Sequence, residues 1–360
     1  MINIEEITTE VALRRVIKPY PKLLDKRIQT KLDKYSLEFI QLARAGVVYV
    51  GGSRFGFDIL DLQNPDCFAL KSDKHFVIRI NKEVQQTNAA SLQCSLYFLI
   101  PGVGHGLRVN GRMTGNQEPD LFEVEIRSLY FQCARAAVRS GLWHSDKALP
   151  FERGDFQRDS FEQGNFERDN KVNDEVVEEN LTAQHIQFIE ASPYVLLGTQ
   201  DNKGETELSP RGDPNCVAKV LEQGQILIPE RPGNKVAISL RNILATQLVG
   251  LSFFIPNSEF FLTVTGRAKI ISAPELLESF GVNNKVPKLG LLIEVDSVCL
   301  SRSSLLASSD FWAADSFPDT SSLTSFPKAL AAHMNGDGWL GKVSAPVVGA
   351  VVKKDLNALY

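Results

Sequence analysis

The sequence predicts a mainly β protein with flanking helices, built from two successive copies of one small barrel. Three observations carry that expectation. Segments of the first half recur in order in the second, which signals an internal repeat. The apolar runs in both halves are short, rich in β-branched and aromatic residues and bounded by turn residues. A charged, repetitive stretch, LPFERGDFQRDSFEQGNFERDNKVNDEVVEEN, separates the halves and has the composition of a solvated linker.

The repeat has a register. KLDKYSLEFIQLARAGVVYVGG is echoed by ENLTAQHIQFIEASPYVLLGTQD, so that Phe39 and Ile40 fall on Phe188 and Ile189, 149 residues on. The same shift carries Asn64-Pro65-Asp66-Cys67 onto Asp213-Pro214-Asn215-Cys216. Further along, SLYFLIPGVGHGLRVNGR matches GLSFFIPNSEFFLTVTGR with a shift of 155 residues, placing Gly111-Arg112 on Gly266-Arg267. A third echo pairs FEVEIRSLYFQCARAAVRSGLW with LIEVDSVCLSRSSLLASSDFW, ending on Trp143 and Trp312. The expected organisation is a first copy at 1–148, a linker at 149–180, a second copy at 181–345 and a tail at 346–360. Each copy alone would expose an apolar face, so the two are expected to pack as an intramolecular pseudo-dimer in a monomeric chain.

Individual elements follow from the runs between turn residues. Strands are expected at 47–50, 76–80, 96–100 and 107–109 in the first copy, and at 194–199, 225–229, 249–255, 261–270 and 290–300 in the second. Helices are expected at 7–17, 31–43, 133–140, 181–190, 236–246 and 274–280.

Composition excludes several classes. With 360 residues, 43% hydrophobic and 23% charged, the chain can bury a core and is not disordered throughout. A net charge of -4 from 39 basic and 43 acidic residues gives no overall field for nucleic acid, although a local basic pocket for phosphate remains open. The opening MINIEEITTEVALRR lacks the order of a secretory signal, and no stretch has the apolar length of a membrane helix; a cytoplasmic protein is expected. Five scattered cysteines fit neither a disulfide framework nor a zinc site, and the five histidines have no metal-motif spacing. No metal is expected.

The polar signals concentrate in the second copy. ELSPRGDPNC is a strand ending in a stiff turn from which Arg211 projects; a plain surface turn is the competing reading. ILIPERPGNKVAISLRNIL runs from a strand through Arg231-Pro232-Gly233-Asn234 into a helix carrying Lys235 and Arg241. A glycine-containing turn at a helix N-terminus presents free backbone N–H groups, and the cations beside it suit phosphate. No P-loop and no dinucleotide fingerprint occurs. In the first copy Arg135 and Arg139, four apart, share a helix face, which by itself reads more readily as a solvated basic edge. The copies have lost opposite features: Leu60-Asp61-Leu62 stands opposite Ser209-Pro210-Arg211, and Ser304 and Ser308 stand opposite Arg135 and Arg139. A single composite site between the halves would leave that pattern.

SPRGDP, LIPERPGN, SLRNIL and CARAAVRSGLW together resemble the pyridoxamine 5′-phosphate oxidase-like FMN-binding split-barrel family, in the branch carrying PRGD and RPGN motifs. The resemblance implies two tandem split barrels, with FMN phosphate and ribityl held by Ser209, Arg211, Asp213, Arg231, Gly233, Asn234, Lys235, Ser239 and Arg241. It implies that Arg135, Arg139 and Trp143 reach the flavin from the other barrel. The chain departs from the branch at Val236, where a basic residue is usual, and Lys235 stands in. The implied activity is hydride transfer by FMN on a small substrate, with NAD(P)H as a further partner; a non-catalytic flavin-binding or sensing module is the alternative. Family members with deazaflavin or haem leave the cofactor type open. A flavin supplies its own redox chemistry, so no catalytic residue is singled out. His105 and His144 are weighed as flavin neighbours against ordinary surface roles.

Overall fold

A computed structural model of the chain describes residues 4–51, 56–80, 91–116, 118, 120–144, 176–214 and 216–359. Most of the stretch read as a linker, 149–175, lies outside the described residues.

The chain begins with β1 (Glu5–Glu6) and α1 (Glu10–Val16), makes a 3-10 turn at Lys22–Arg27, and enters α2 (Lys34–Leu42). Seven strands follow: β2 (Ala45–Val50), β3 (Phe57–Asp61), β4 (Phe68–Leu70), β5 (His75–Arg79), β6 (Leu92–Leu99), β7 (Gly106–Gly115) and β8 (Leu121–Gln132). After α3 (Arg135–Ser140) comes α4 (Ala183–Ala191), then β9 (Tyr194–Gln200), β10 (Thr206–Gly212), β11 (Lys219–Val220) and β12 (Ile226–Pro229). Next are α5 (Ile238–Thr246), β13 (Leu248–Phe254), β14 (Phe260–Ser272), α6 (Pro274–Leu277) and β15 (Gly290–Arg302). The described chain closes with α7 (Ser304–Ala307), α8 (Ser309–Trp312), α9 (Phe326–Asn335) and α10 (Trp339–Asn357). The fold is mainly β, in two sheets.

The sheets have the same strand order. One runs β3-β2-β6-β7-β8-β5-β4 and the other β10-β9-β13-β14-β15-β12-β11, with β1 added beside β14. Both carry a register shift at the same place, between Asn110 and Gly111 and between Thr265 and Gly266. The glycine there is sterically required: a Cβ would come within 2.6 Å of the Glu125 carbonyl oxygen at Gly111 and 2.1 Å of the Glu294 carbonyl oxygen at Gly266. Even the isolated bridges correspond, Gln29 with Leu129 and Glu178 with Val298. The capping boxes do too, Asp33 with Ser36 at α2 and Thr182 with His185 at α4.

Ladder register corrects one sequence pairing. Gly46 faces Leu60 in the first sheet, and its counterpart Val195 faces Arg211 in the second. Leu60, not Leu62, therefore occupies the place of Arg211, and Asp58, paired with Val48, occupies that of Ser209, paired with Leu197. The hairpin before β10 is two residues longer than its equivalent, a difference that an ungapped reading of sequence cannot register. The connection from β5 to β6 is shorter than that from β12 to β13, and its residues 81–90 lie outside the described ones.

Alternation along the central strands explains their continuous apolar runs. In β2, Val48 and Val50 enter the core of the first half, while Ala45, Val47 and Tyr49 enter a core shared by both sheets. In β9, Val195 and Leu197 face the second core, and Tyr194 and Leu196 the shared one. Strands covered on both faces lose the polar alternation that marks a solvated sheet.

The two ends of the chain cross over. β1 pairs with β14, and Ile7 and Leu13 belong to the second core. Conversely Ala329 of α9 lies in the first core, and His333 Nε2 is 2.9 Å from Asp33 Oδ2. Residues 346–357, expected as a tail, are the second part of α10, which packs on α9. No helix among the described residues is long and apolar enough to cross a membrane.

Candidate functional site

A cavity of about 730 Å³ opens between the sheets, within the usual range for cofactor sites. Its lining holds ten Lys and Arg residues against two carboxylates, Glu207 and Glu230, in a chain whose net charge is -4. Such a concentration of cations in a concave site attracts anionic ligands.

Strand alternation on β10 aims Glu207, Ser209 and Arg211 to one side, and all three line the cavity. Arg211 Nη1 donates to Glu230 Oε2, whereas its buried Nε has no hydrogen-bond partner among the described residues. One side of the guanidinium is thus anchored and another is left to a ligand. Gly212 next to it is needed for close approach, because a Cβ would lie 2.0 Å from the Ala136 carbonyl oxygen of α3. That contact brings the cationic helix of the first half against the second.

The turn leading into α5 forms the wall. Arg231 Nε donates to Asp213 Oδ2 at 2.5 Å and Nη2 to the Phe280 carbonyl at 2.7 Å, tying the two sequence motifs together. Asp213 is therefore a support for Arg231 and does not itself line the cavity; burial pushes its carboxyl up, against the pull of Arg231. Lys235 and Ala237 adopt positive φ of 63° and 59°, a costly conformation for non-glycine residues that only a strongly determined loop sustains. Asn234 Oδ1 accepts from the Val236 N–H at 3.0 Å. Arg14 of α1 donates to the carbonyls of Lys235 and Val236 at 2.8 and 3.1 Å. Ala237, the N-cap of α5, provides no side-chain cap, so first-turn N–H groups are left for an anion beside the lining residues Ile238 and Ser239. Gly233, Asn234 and Lys235 line the cavity as well.

From the other half, Arg135 and Arg139 both donate to the Pro232 carbonyl, at 3.3 and 2.6 Å. The end of α10 reaches the same pair. Arg135 Nη2 lies 2.8 Å from Asp355 Oδ1, and Arg139 Nε donates to the Leu359 carbonyl at 3.1 Å.

Besides Asp213, two expected site residues are not part of the lining. Trp143 donates its Nε1 to the Val103 carbonyl at 2.9 Å and packs with Phe311, Trp312 and Phe317 in the shared core. Arg241 lies outside the lining, near the Tyr20 hydroxyl on which its charge acts. His105 is packed among Phe39, Phe131 and Phe326, and His144 is not a lining residue.

The cavity floor contains residues that sequence reasoning passed over. Arg108 and Glu207 are a buried ion pair joining β7 to β10; Arg108 also donates to the Leu208 carbonyl at 2.5 Å. Tyr130 and Asn110 each donate to Glu207 at 2.7 Å. Burial pushes Glu207 up and Arg108 down to about 10. The usable signal was the alternation in GLRVNG: Leu107 and Val109 face a core, which leaves Arg108 and Asn110 on a face that a two-sheet protein also buries.

Residues 181–299 match the family model of pyridoxamine 5′-phosphate oxidase. The oxidase match runs from just before α4 to within β15 and contains Ser209, Arg211, Asp213, the 231–235 turn, Ser239 and Arg241; Arg135, Arg139 and Trp143 fall outside it. No curated protein sequence matches the chain. Solved structures similar to parts of it include HupZ of Group A Streptococcus, 16% identical over 34% of this chain and 95% of that one, with a TM-score of 0.28. A candidate pyridoxamine 5′-phosphate oxidase of Lactobacillus delbrueckii is 17% identical over 34% and 97%, with a TM-score of 0.28. An F420 reductase is 15% identical over 34% and 100%, with a TM-score of 0.26.

Proposed function

We propose that this chain is an FMN-binding oxidoreductase made of two diverged split barrels in tandem, residues 1–148 and 181–345, folded as an intramolecular pseudo-dimer with one flavin site. The observation that carries the reading is the cavity between the sheets, with its ten cations and the uncapped N-terminus of α5. The residues fit the group. Arg211 has a buried Nε without a partner, and a phosphate there would receive charge-assisted hydrogen bonds from it and from first-turn N–H groups. Ser209, Lys235 and Ser239 would complete the phosphate and ribityl contacts, while Arg135 and Arg139 come from the other half. Asp213 and Arg231 hold the turn in shape. Bound FMN would supply hydride chemistry for a small substrate, with NAD(P)H as the reductant. The chain's own part is to bind, orient and screen the ring between two sheets.

The test is an absorption spectrum and an FMN titration of the purified chain, followed by addition of NADH or NADPH. One FMN per chain, reduced by either nucleotide and reoxidised with turnover, is the expected result. A bound flavin that neither nucleotide reduces would favour the non-catalytic alternative. Two equivalent sites per chain, or binding of haem or deazaflavin in place of FMN, would overturn the proposal.

A further inference from the structure

Arg27 ends the 3-10 turn Lys22–Arg27 and is 5% exposed, yet it lines the cavity. A guanidinium carries five N–H donors. The contacts of this one among the described residues are a long hydrogen bond from Nη1 to the Leu24 carbonyl, 3.4 Å, and the face of Tyr130, 4.7 Å from its Cζ. Among the described residues, no carboxylate lies within ion-pair distance of it. Three other buried cations of the cavity have one: Arg108 pairs with Glu207, Arg231 with Asp213 and Arg135 with Asp355. A buried charge that is not paired keeps most of its desolvation penalty. Burial accordingly lowers the pKa of Arg27, against the opposing pull of Glu207 and Asp25.

Its surroundings hold it in place, and Glu207 and Asp25 act on its charge without pairing with it. The Tyr130 ring carries both Arg27 and Arg108, whose Cζ is 4.1 Å from the ring centroid. The Tyr130 hydroxyl is fixed by Glu207, so the ring cannot turn away. Glu207 and Arg211 are four residues apart on β10, a separation of roughly 13 Å along a strand. The ring that carries Arg27 is thus tied to the Glu207 position of the strand, apart from that of Arg211.

We infer that Arg27 is a second anion-binding position in this cavity, separate from the phosphate turn, and that it takes the oxyanion of a small anionic substrate. The inference rests on the flavin reading, in which the phosphate turn is occupied by the cofactor and Arg27 is left for the molecule on which the cofactor acts.

The experiment is calorimetric titration of the full chain, with and without FMN, using benzoate, phenyl phosphate and the neutral benzamide as probes. Benzoate or phenyl phosphate, whichever oxyanion the position prefers, is expected to bind and benzamide not. Arg27→Gln should weaken the preferred anion about tenfold or more, as loss of a charged hydrogen bond predicts, while FMN affinity stays within about threefold of wild type. Should Arg27→Gln fail to fold, Arg27→Lys carries the same comparison, with an expected loss of about threefold because the planar fork is gone. Unchanged anion binding in the Arg27 variants, equal binding of benzamide, no anion binding to wild type, or loss of anion binding in Arg211→Ala instead would each overturn the assignment. If wild type takes no FMN but the Arg27 variants still lose the anion, the flavin reading fails and the Arg27 position stands.

Discussion

The two sheets share strand order, bulge, bridge and capping box, but only one end of their interface forms a large cavity among the described residues. Where Leu60 closes the first core, Arg211 at the same register lines the cavity. Where α3 carries Arg135 and Arg139, α7 has Ser304 at its first position and buries Leu305 and Leu306. Across the interface, Asn110 and Ser128 join Glu207 in a polar network, and their counterparts Thr265 and Ser297 simply bond each other at 2.6 Å. At the first-sheet counterpart of Gly198, Tyr49 lays its ring over that glycine; a Cβ on Gly198 would come within 2.7 Å of it. The backbone of such a repeat tolerates a complete exchange of chemistry at a handful of register positions, because the ladders and the two-sided burial do not depend on them.

The largest expected effect comes from breaking the polar end. Glu207→Ala leaves Arg108 buried and unpaired, and should lower stability by about 3–5 kcal/mol in urea unfolding. Thr265→Ala at the equivalent end removes one neutral hydrogen bond and should cost about 0.5–1.5 kcal/mol. Equal losses would mean that the ion pair is not what joins the sheets at the cavity.

Next is Arg211→Ala, which should weaken FMN by about thirtyfold to a hundredfold, equivalent to about 2–3 kcal/mol. Riboflavin, lacking the phosphate, should bind the variant as it binds wild type. If both ligands weaken alike, Arg211 shapes the strand end through Glu230 and the phosphate belongs to Lys235 and the α5 N-terminus.

A third comparison uses acid. Asp33 caps α2 and pairs with His333, and despite opposing burial these hydrogen bonds hold its carboxyl down at about 2. Its counterpart Thr182 is neutral. A depressed carboxylate stabilises the fold above its ordinary pKa of 3.8 and loses that contribution as pH falls through about 2. Asp33→Asn should remove about 1–2 kcal/mol of stability at neutral pH and flatten the loss between those two values. An unchanged acid slope in the variant would place the acid sensitivity elsewhere.

The smallest effect concerns α10. On the proposed function Asp355 would compete with the ligand anion for Arg135, but it is half exposed, and such pairs contribute about 0–1 kcal/mol. Asp355→Asn should tighten FMN by no more than about fivefold. A weakening on FMN titration would show that α10 supports the site instead of competing for it.

Much of this molecule was readable in one dimension. The repeat register survives in the ladders at 149 and 155 residues, because core alternation and an obligatory bulge glycine constrain sequence locally. The cationic turn before α5 was likewise visible as a turn, since proline, glycine and asparagine shape one through their own backbone preferences. The roles within that turn were not: Asp213 and Arg231 pair with each other across 18 residues, which motif spacing does not disclose.

What the sequence alone determined was therefore the β class, the duplication-like pattern and the cationic turn, all products of short-range preference and periodicity. Only the tertiary structure decided which half each terminus joins, which face of β7 is buried, and which cations meet. It sent α1 to the second core and α9 to the first, left Trp143 in the shared core, and brought Arg27, Arg108 and Glu207 to the cavity floor. The physical reason is that burial on the second face of a strand and pairing between distant charges are set by what packs opposite, and nothing within a local window records that neighbour.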